Sequence, residues 1–199
     1  SAFKSSPLTE PPAHFRGCRG SQDPSISPMA TDEIINRVAS SSLISLDLEE
    51  LYPEGERVVY DLKDNLFQGL ILREKDFREF LKQHDWTAYA GKHVAIVCSE
   101  DAIVPTWAYM LLALRLTPYA QTVFYGNLEA LEAHLFEKAL DRLDLESYRD
   151  KRVVVKGCSK KAVPTAAYVA LTRRLTPLVQ SLLFGEPCST VPLYKRAKA

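Results

Sequence analysis

Residues 92–126 and 151–185 are copies of one another, and this constrains the chain more than any other feature. Lys92-His93-Val94-Ala95-Ile96-Val97-Cys98-Ser99 answers Lys151-Arg152-Val153-Val154-Val155-Lys156-Gly157-Cys158-Ser159. Val104-Pro105-Thr106 answers Val163-Pro164-Thr165, Ala108-Tyr109 answers Ala167-Tyr168, and Arg115-Leu116-Thr117-Pro118 answers Arg174-Leu175-Thr176-Pro177. With one single-residue gap in each copy, 17 of 34 aligned positions are identical. Unrelated segments would match at about one position in twenty, so a duplicated structural unit is the economical reading. The match continues upstream, where Leu72, Phe77, Leu81, Asp85 and Tyr89 answer Leu131, Phe136, Leu140, Asp144 and Tyr148.

Each unit, 72–126 and 131–185, reads as helix, strand, cysteine-bearing loop, helix, strand. Short apolar strands alternating with helices predict an α/β fold of βαβ-type units with a mainly parallel sheet. Units this small predict one fused core with an approximate twofold axis, and strands 94–97 and 153–156 side by side or symmetry-related in one sheet. Upstream, Leu43–Leu48 alternates at period two and Arg57–Leu62 reads as a second strand. Between them Tyr52-Pro53-Glu54-Gly55-Glu56 carries turn chemistry, which predicts an N-terminal hairpin at one edge of the sheet. Phe67–Leu72 is a candidate third strand, and Glu74–Gln83 carries Phe77, Phe80 and Leu81 at helical spacing.

Residues 1–28 differ in composition from the rest, with Pro7, Pro11, Pro12, Pro24, Pro28 and several serines. Such a segment buries too little apolar surface to offset its ordering entropy. It is expected to be a disordered leader or a non-native extension, and Cys18 within it is given no role. Met29 then opens a stretch with Thr31 as helix N-cap and Asp32 and Glu33 in the first turn of a short helix over 32–38. Residues 29–199 are thus expected to form a single α/β domain.

The 46% apolar content allows a real core, and 25 basic against 25 acidic residues leave no global charge for nucleic acid or an acidic membrane. The stretch Pro105–Leu114 is far short of the roughly 20 residues a bilayer span needs. No secretory signal is visible. A cytoplasmic protein is expected.

Cys98 and Cys158 fall where a buried strand ends and a helix begins, the edge of a parallel sheet where ligand sites collect. Pro105 and Pro164 suit the first helical position. Free N–H groups at Thr106 and Thr165 would favour an anion or thiolate beside them. Lys160 and Lys161 would lower the pKa of Cys158, whereas Glu100 and Asp101 act oppositely on Cys98. Cys188-Ser189 with Val191-Pro192 repeats the Cys-Ser…Val-Pro signature of Cys98-Ser99 and Cys158-Ser159 in compressed form. Three thiolates converging on one sheet edge would make a site for zinc, an iron–sulfur cluster or transferred sulfur. Against this stands ordinary core packing, since free cysteine is among the most buried residue types and no Cys-x-x-Cys is present. Disulfides fit a cytoplasmic setting poorly. His14, His84, His93 and His134 lack metal spacing, and Trp107 and Tyr109 read as core. The basic tail from Tyr194 to Lys198 is too short to bind nucleic acid. No Walker loop, Gly-x-Ser-x-Gly or His-Glu-x-x-His motif occurs.

At Glu33–Val38, Leu66–Arg78 and Cys188–Arg196 the chain resembles an uncharacterised bacterial family, domain of unknown function 2480. The resemblance covers 29–196. It implies no established activity, but a gene setting near sulfur mobilisation and iron–sulfur cluster assembly, hence assembly proteins as partners. Taken with the cysteines, it leads to the expectation of a cysteine-based accessory factor. A looser likeness is to rhodanese-type sulfurtransferases, although the loop from Cys98 to Pro105 lacks the glycines and arginine that would cradle a persulfide. A protein-interaction module with structural cysteines is the third reading.

Overall fold

The computed structural model describes residues 43–156, 160–186 and 188–197. The leader over 1–28 and the helix expected over 32–38 lie outside them. The described chain forms β1 (Leu43–Asp47), β2 (Arg57–Asp61), α1 (Glu74–Gln83), β3 (His93–Val97), α2 (Thr106–Leu116), β4 (Thr122–Tyr125), α3 (Leu128–Asp141), β5 (Arg152–Lys156), α4 (Thr165–Leu175), β6 (Ser181–Glu186) and β7 (Ser189–Lys195). This is a mixed α/β protein dominated by parallel strands, as expected. No helix among the described residues is long and apolar enough to cross a membrane.

The strands make two sheets rather than one. The first has the order β2-β3-β4 and is wholly parallel; the second has the order β1-β5-β6-β7, with only β7 antiparallel. Strands 94–97 and 153–156 therefore belong to different sheets, which corrects the expectation of a shared one. They are nevertheless built alike. Val94, Ala95 and Ile96 are buried on both faces of β3, and Val153, Val154 and Val155 on both faces of β5, which is why each reads as an unbroken apolar run.

The expected N-terminal hairpin does not form. β1 pairs in parallel with β5, from Leu43 opposite Arg152 to Asp47 opposite Lys156. β2 pairs in parallel with β3, from Arg57 opposite His93 to Asp61 opposite Val97. Period-two alternation specifies a strand and its buried face, but not its partner. The turn signal between them was real: Gly55 has φ +123° and packs on the His93 ring, where an added Cβ would lie 2.8 Å from Nε2. Its effect is to deliver the chain to the other sheet. The stretch Phe67–Leu72 is not a strand either. Gln68 and Gly69 are both left-handed, and the segment makes only isolated bridges from Ile71 to Phe67 and Ile103.

The two sheets follow the same plan. β3 and β5, α2 and α4, and β4 and β6 each begin 59 residues apart, at 93 and 152, 106 and 165, and 122 and 181. The registers shift equally, with His93 opposite Thr122 and Arg152 opposite Ser181. The first strand of each sheet comes from the N-terminal part of the chain, and each ends in an aspartate, Asp47 or Asp61, that caps a short 3-10 turn.

α3 joins the two sheets. On one side its Phe136 and Leu140 pack with Ala167, Leu171 and Leu175 of α4 against Val153 and Val155. On the other, its Leu131 and Leu135 pack against Ala95 and Phe124 of the first sheet. The opposite face of that sheet, with Val94 and Ile96, is covered by Phe77 and Leu81 of α1 and Leu112 and Leu116 of α2. A bidentate ion pair, with Arg57 Nε and Nη2 each 2.9 Å from a Glu132 carboxylate oxygen, ties β2 to α3. Both side chains are mostly shielded, the geometry in which such a pair is most directional.

Candidate functional site

At the carboxyl edge of the first sheet, the last residue of β2 meets the loop that follows β3. The Asp61 Oδ1 accepts hydrogen bonds from the backbone N–H of Lys63 (3.1 Å) and of Ser99 (3.0 Å). Lys63 Nζ stands 3.6 Å from the other carboxylate oxygen. The first bond caps the 3-10 turn Leu62–Asn65, and the second fixes the backbone beside Cys98. Burial raises the Asp61 pKa, but the hydrogen bonds from Ser99 and Lys63 and the lysine charge outweigh it and hold the carboxyl below its usual range.

Cys98 is a free thiol of intermediate exposure. Its Sγ donates to the Glu100 carbonyl at 3.5 Å. Tyr109, one turn into α2, lies edge-on to Tyr125 at the end of β4, with ring centroids 5.1 Å apart. Burial pushes the Tyr109 hydroxyl pKa up, and Cys98, Tyr125 and Asp61 add to the rise.

The carboxyl edge of the second sheet uses matching parts. Asp47 Oδ1 accepts from the N–H of Glu49 at 2.9 Å. Tyr168 of α4 lies edge-on to Phe184 of β6, with centroids 5.7 Å apart. Cys158 and Ser159 lie outside the described residues. The backbone N–H of Lys160 donates to Glu49 Oε1 at 3.0 Å. The Lys161 ammonium donates to Glu54 at 2.8 Å and stands 4.6 Å above the Tyr52 ring. Cys188 is a free, exposed thiol in the turn between β6 and β7, and Ser189 opens β7 opposite Glu186.

Of the residues singled out in the sequence, Cys98 and Ser99 stand together beside Asp61. Cys188 belongs to the other sheet. Thr106 and Thr165 open α2 and α4, with Pro105 and Pro164 at the N-cap, one position ahead of the one expected. Among the described residues no three of His, Cys, Asp and Glu are grouped so as to hold a metal ion. His93 is structural, with Nδ1 3.0 Å from Thr122 Oγ1 and Nε2 2.8 Å from the Glu54 carbonyl. Sequence reasoning missed Asp61 and Asp47. Their signal was present as Leu46-Asp47-Leu48 and Tyr60-Asp61-Leu62, two strands each closing on Asp-Leu. Tyr109, read as core, packs against that core and also stands edge-on to Tyr125 at the end of β4.

The fold and this edge define a parallel α/β protein with a thiol, a carboxylate and a phenol at its strand ends. The chain belongs to the family described as Protein of unknown function (DUF2480), whose profile matches residues 32–196. No curated protein and no solved structure matches the chain significantly.

Proposed function

We propose that the protein is a cytoplasmic, non-enzymatic accessory factor that handles sulfur or a thiophilic metal through its strand-end cysteines, alongside proteins of iron–sulfur cluster assembly. The observation that carries the reading is that Cys98 and Cys188 are unpaired and at least partly accessible, each just beyond a parallel strand. A cysteine kept only for packing would be buried. With Cys98 and Cys188 on different sheets, the arrangement favours separate single-thiol stations, each able to carry a persulfide or donate to a metal shared with a partner.

A second reading, an interaction module with structural cysteines, is favoured by exposed Leu70, Ile71 and Ile103, which the bridge between Ile71 and Ile103 makes contiguous. Anaerobic purification followed by zinc, iron and labile-sulfide analysis and thiol titration separates the two. The accessory reading expects bound metal or sulfane sulfur that falls in Cys98→Ser, Cys158→Ser or Cys188→Ser, with Cys158 reacting fastest beside Lys160 and Lys161. Metal-free, sulfide-free protein in which Cys98, Cys158 and Cys188 are all inert would leave the interaction module.

A further inference from the structure

Beside the outer strand of the first sheet lies a cavity of about 260 Å³ that the cysteine chemistry does not use. It lies where the turn after β2 meets the end of α1. Tyr60, Phe80, His84 and Tyr89 line it, together with Asp61 and Asp64. The rings form one assembly: His84 is 4.9 Å from Phe80, 5.9 Å from Tyr89 and 6.3 Å from Tyr60, centroid to centroid. Trp86 backs it, 4.5 Å from His84, with its indole N–H held by the Leu81 carbonyl.

Three observations fix the kind of ligand this cavity suits. No lysine or arginine lines it, while two carboxylates do. Asp61 is partly neutralised by Lys63, but Asp64 has no cationic partner among the described residues. Burial pushes the Tyr60 hydroxyl pKa up, and Tyr89 and Asp64 add to the rise against the bond to Asn65. Finally, His84 lines the cavity together with Tyr60, Phe80 and Tyr89, while its Nε2 is buried away from it. π faces and an unpaired carboxylate together suit an organic cation whose N–H groups can donate to the carboxylate. A hydrated metal ion would leave the rings unused. The volume, just below the roughly 300–1,000 Å³ of drug-sized sites, restricts the ligand to a small head group.

We propose that this cavity binds the ammonium head of a small alkylamine, enclosed by Tyr60, Phe80, His84 and Tyr89 and neutralised by Asp64. The site is independent of the thiol reading. The test is an NMR titration of the full chain at neutral pH, following the backbone amides of Tyr60, His84 and Tyr89 and the Trp86 indole. The probes are 3-methylbutylammonium, its neutral counterpart 3-methylbutanol, and tetramethylammonium, which keeps the charge but has no N–H. The alkylammonium should shift these resonances saturably, with a Kd of roughly 1 mM. The alcohol should bind at least about tenfold more weakly, and tetramethylammonium and the Asp64→Asn protein each about three- to tenfold more weakly. Asp64 is exposed, so its substitution leaves the fold intact. The assignment falls if no probe gives a saturable shift, if the alcohol or tetramethylammonium binds as well as the amine, or if Asp64→Asn binds undiminished.

Discussion

Asp61 is bonded to both ends of the stretch it organises. It caps the turn that follows its own strand and holds the backbone beside Cys98. Replacing it tests structure and reactivity separately. Asp61→Ala removes an N-cap and a loop anchor and should cost about 1–2 kcal/mol, read from chemical denaturation. Asp61→Asn keeps an acceptor oxygen and removes a negative charge from the loop that carries Cys98, so an anionic disulfide reagent should reach the thiol faster, by roughly two- to threefold at low salt. An unchanged rate would mean the carboxylate does not control the thiol. The same pair sets an acid limb. Because the folded pKa lies below the unfolded value of about 3.9, the Asp61 contribution is complete above that value and is lost as pH falls through the depressed one. The Asn variant should show a flatter decline in stability below about pH 4 than the parent.

Among the elements, the β6–β7 hairpin is the most sensitive to a single methyl group. Gly185 has φ +118°, and a Cβ there would lie 2.6 Å from the Ser189 carbonyl oxygen. That obstacle is backbone of the paired strand and cannot swing aside. Gly126 occupies the corresponding place after β4 with φ +141°, but its Cβ would meet the edge of the Phe124 ring, a side chain that can rotate. Gly185→Ala should therefore cost more than Gly126→Ala, on the order of 3 against 1–2 kcal/mol, with the excess visible as faster hydrogen exchange at Thr190 and Val191. Equal costs would place the penalty in φ alone. The repeated Gly was visible in the sequence, as were β3, β5, α2 and α4, because continuous apolar runs and helical spacing are local properties. The pairing of β1 and β2 was not. Both strands alternate in the same way, and nothing within either says which of two similar central strands it will join.

For the whole molecule, the question is whether two sheets behave as one cooperative body. α3 answers it physically by burying Leu131 and Leu135 against one sheet and Phe136 and Leu140 against the other. Both tryptophans, Trp86 and Trp107, sit in the core of the first sheet, whereas Phe136 belongs to that of the second. Phe136→Ala should cost about 3–5 kcal/mol. If α3 couples the sheets, the tryptophan fluorescence transition should fall with the far-UV signal, by roughly 6–20 °C for a chain of this size. A tryptophan transition that stays in place while the far-UV signal splits would show two independent units. The candidate site was half legible at this scale. The cysteine loops declared themselves by repetition, but their distribution over two sheets depends on long-range pairing that no local pattern encodes.

The parallel pairing of β1 with β5 also sets a timetable for the nascent chain. Leu43 leaves the ribosome 109 residues ahead of its partner Arg152 (152 − 43). Arg57 waits only 36 residues for His93 (93 − 57). The first sheet can close once Tyr125 is clear of the exit tunnel, while β1 remains an unmatched strand tethered to it. At about 5–20 residues per second, that exposure lasts for seconds. During that interval β1 offers an unpaired strand edge, the kind of segment most open to pairing with the wrong chain.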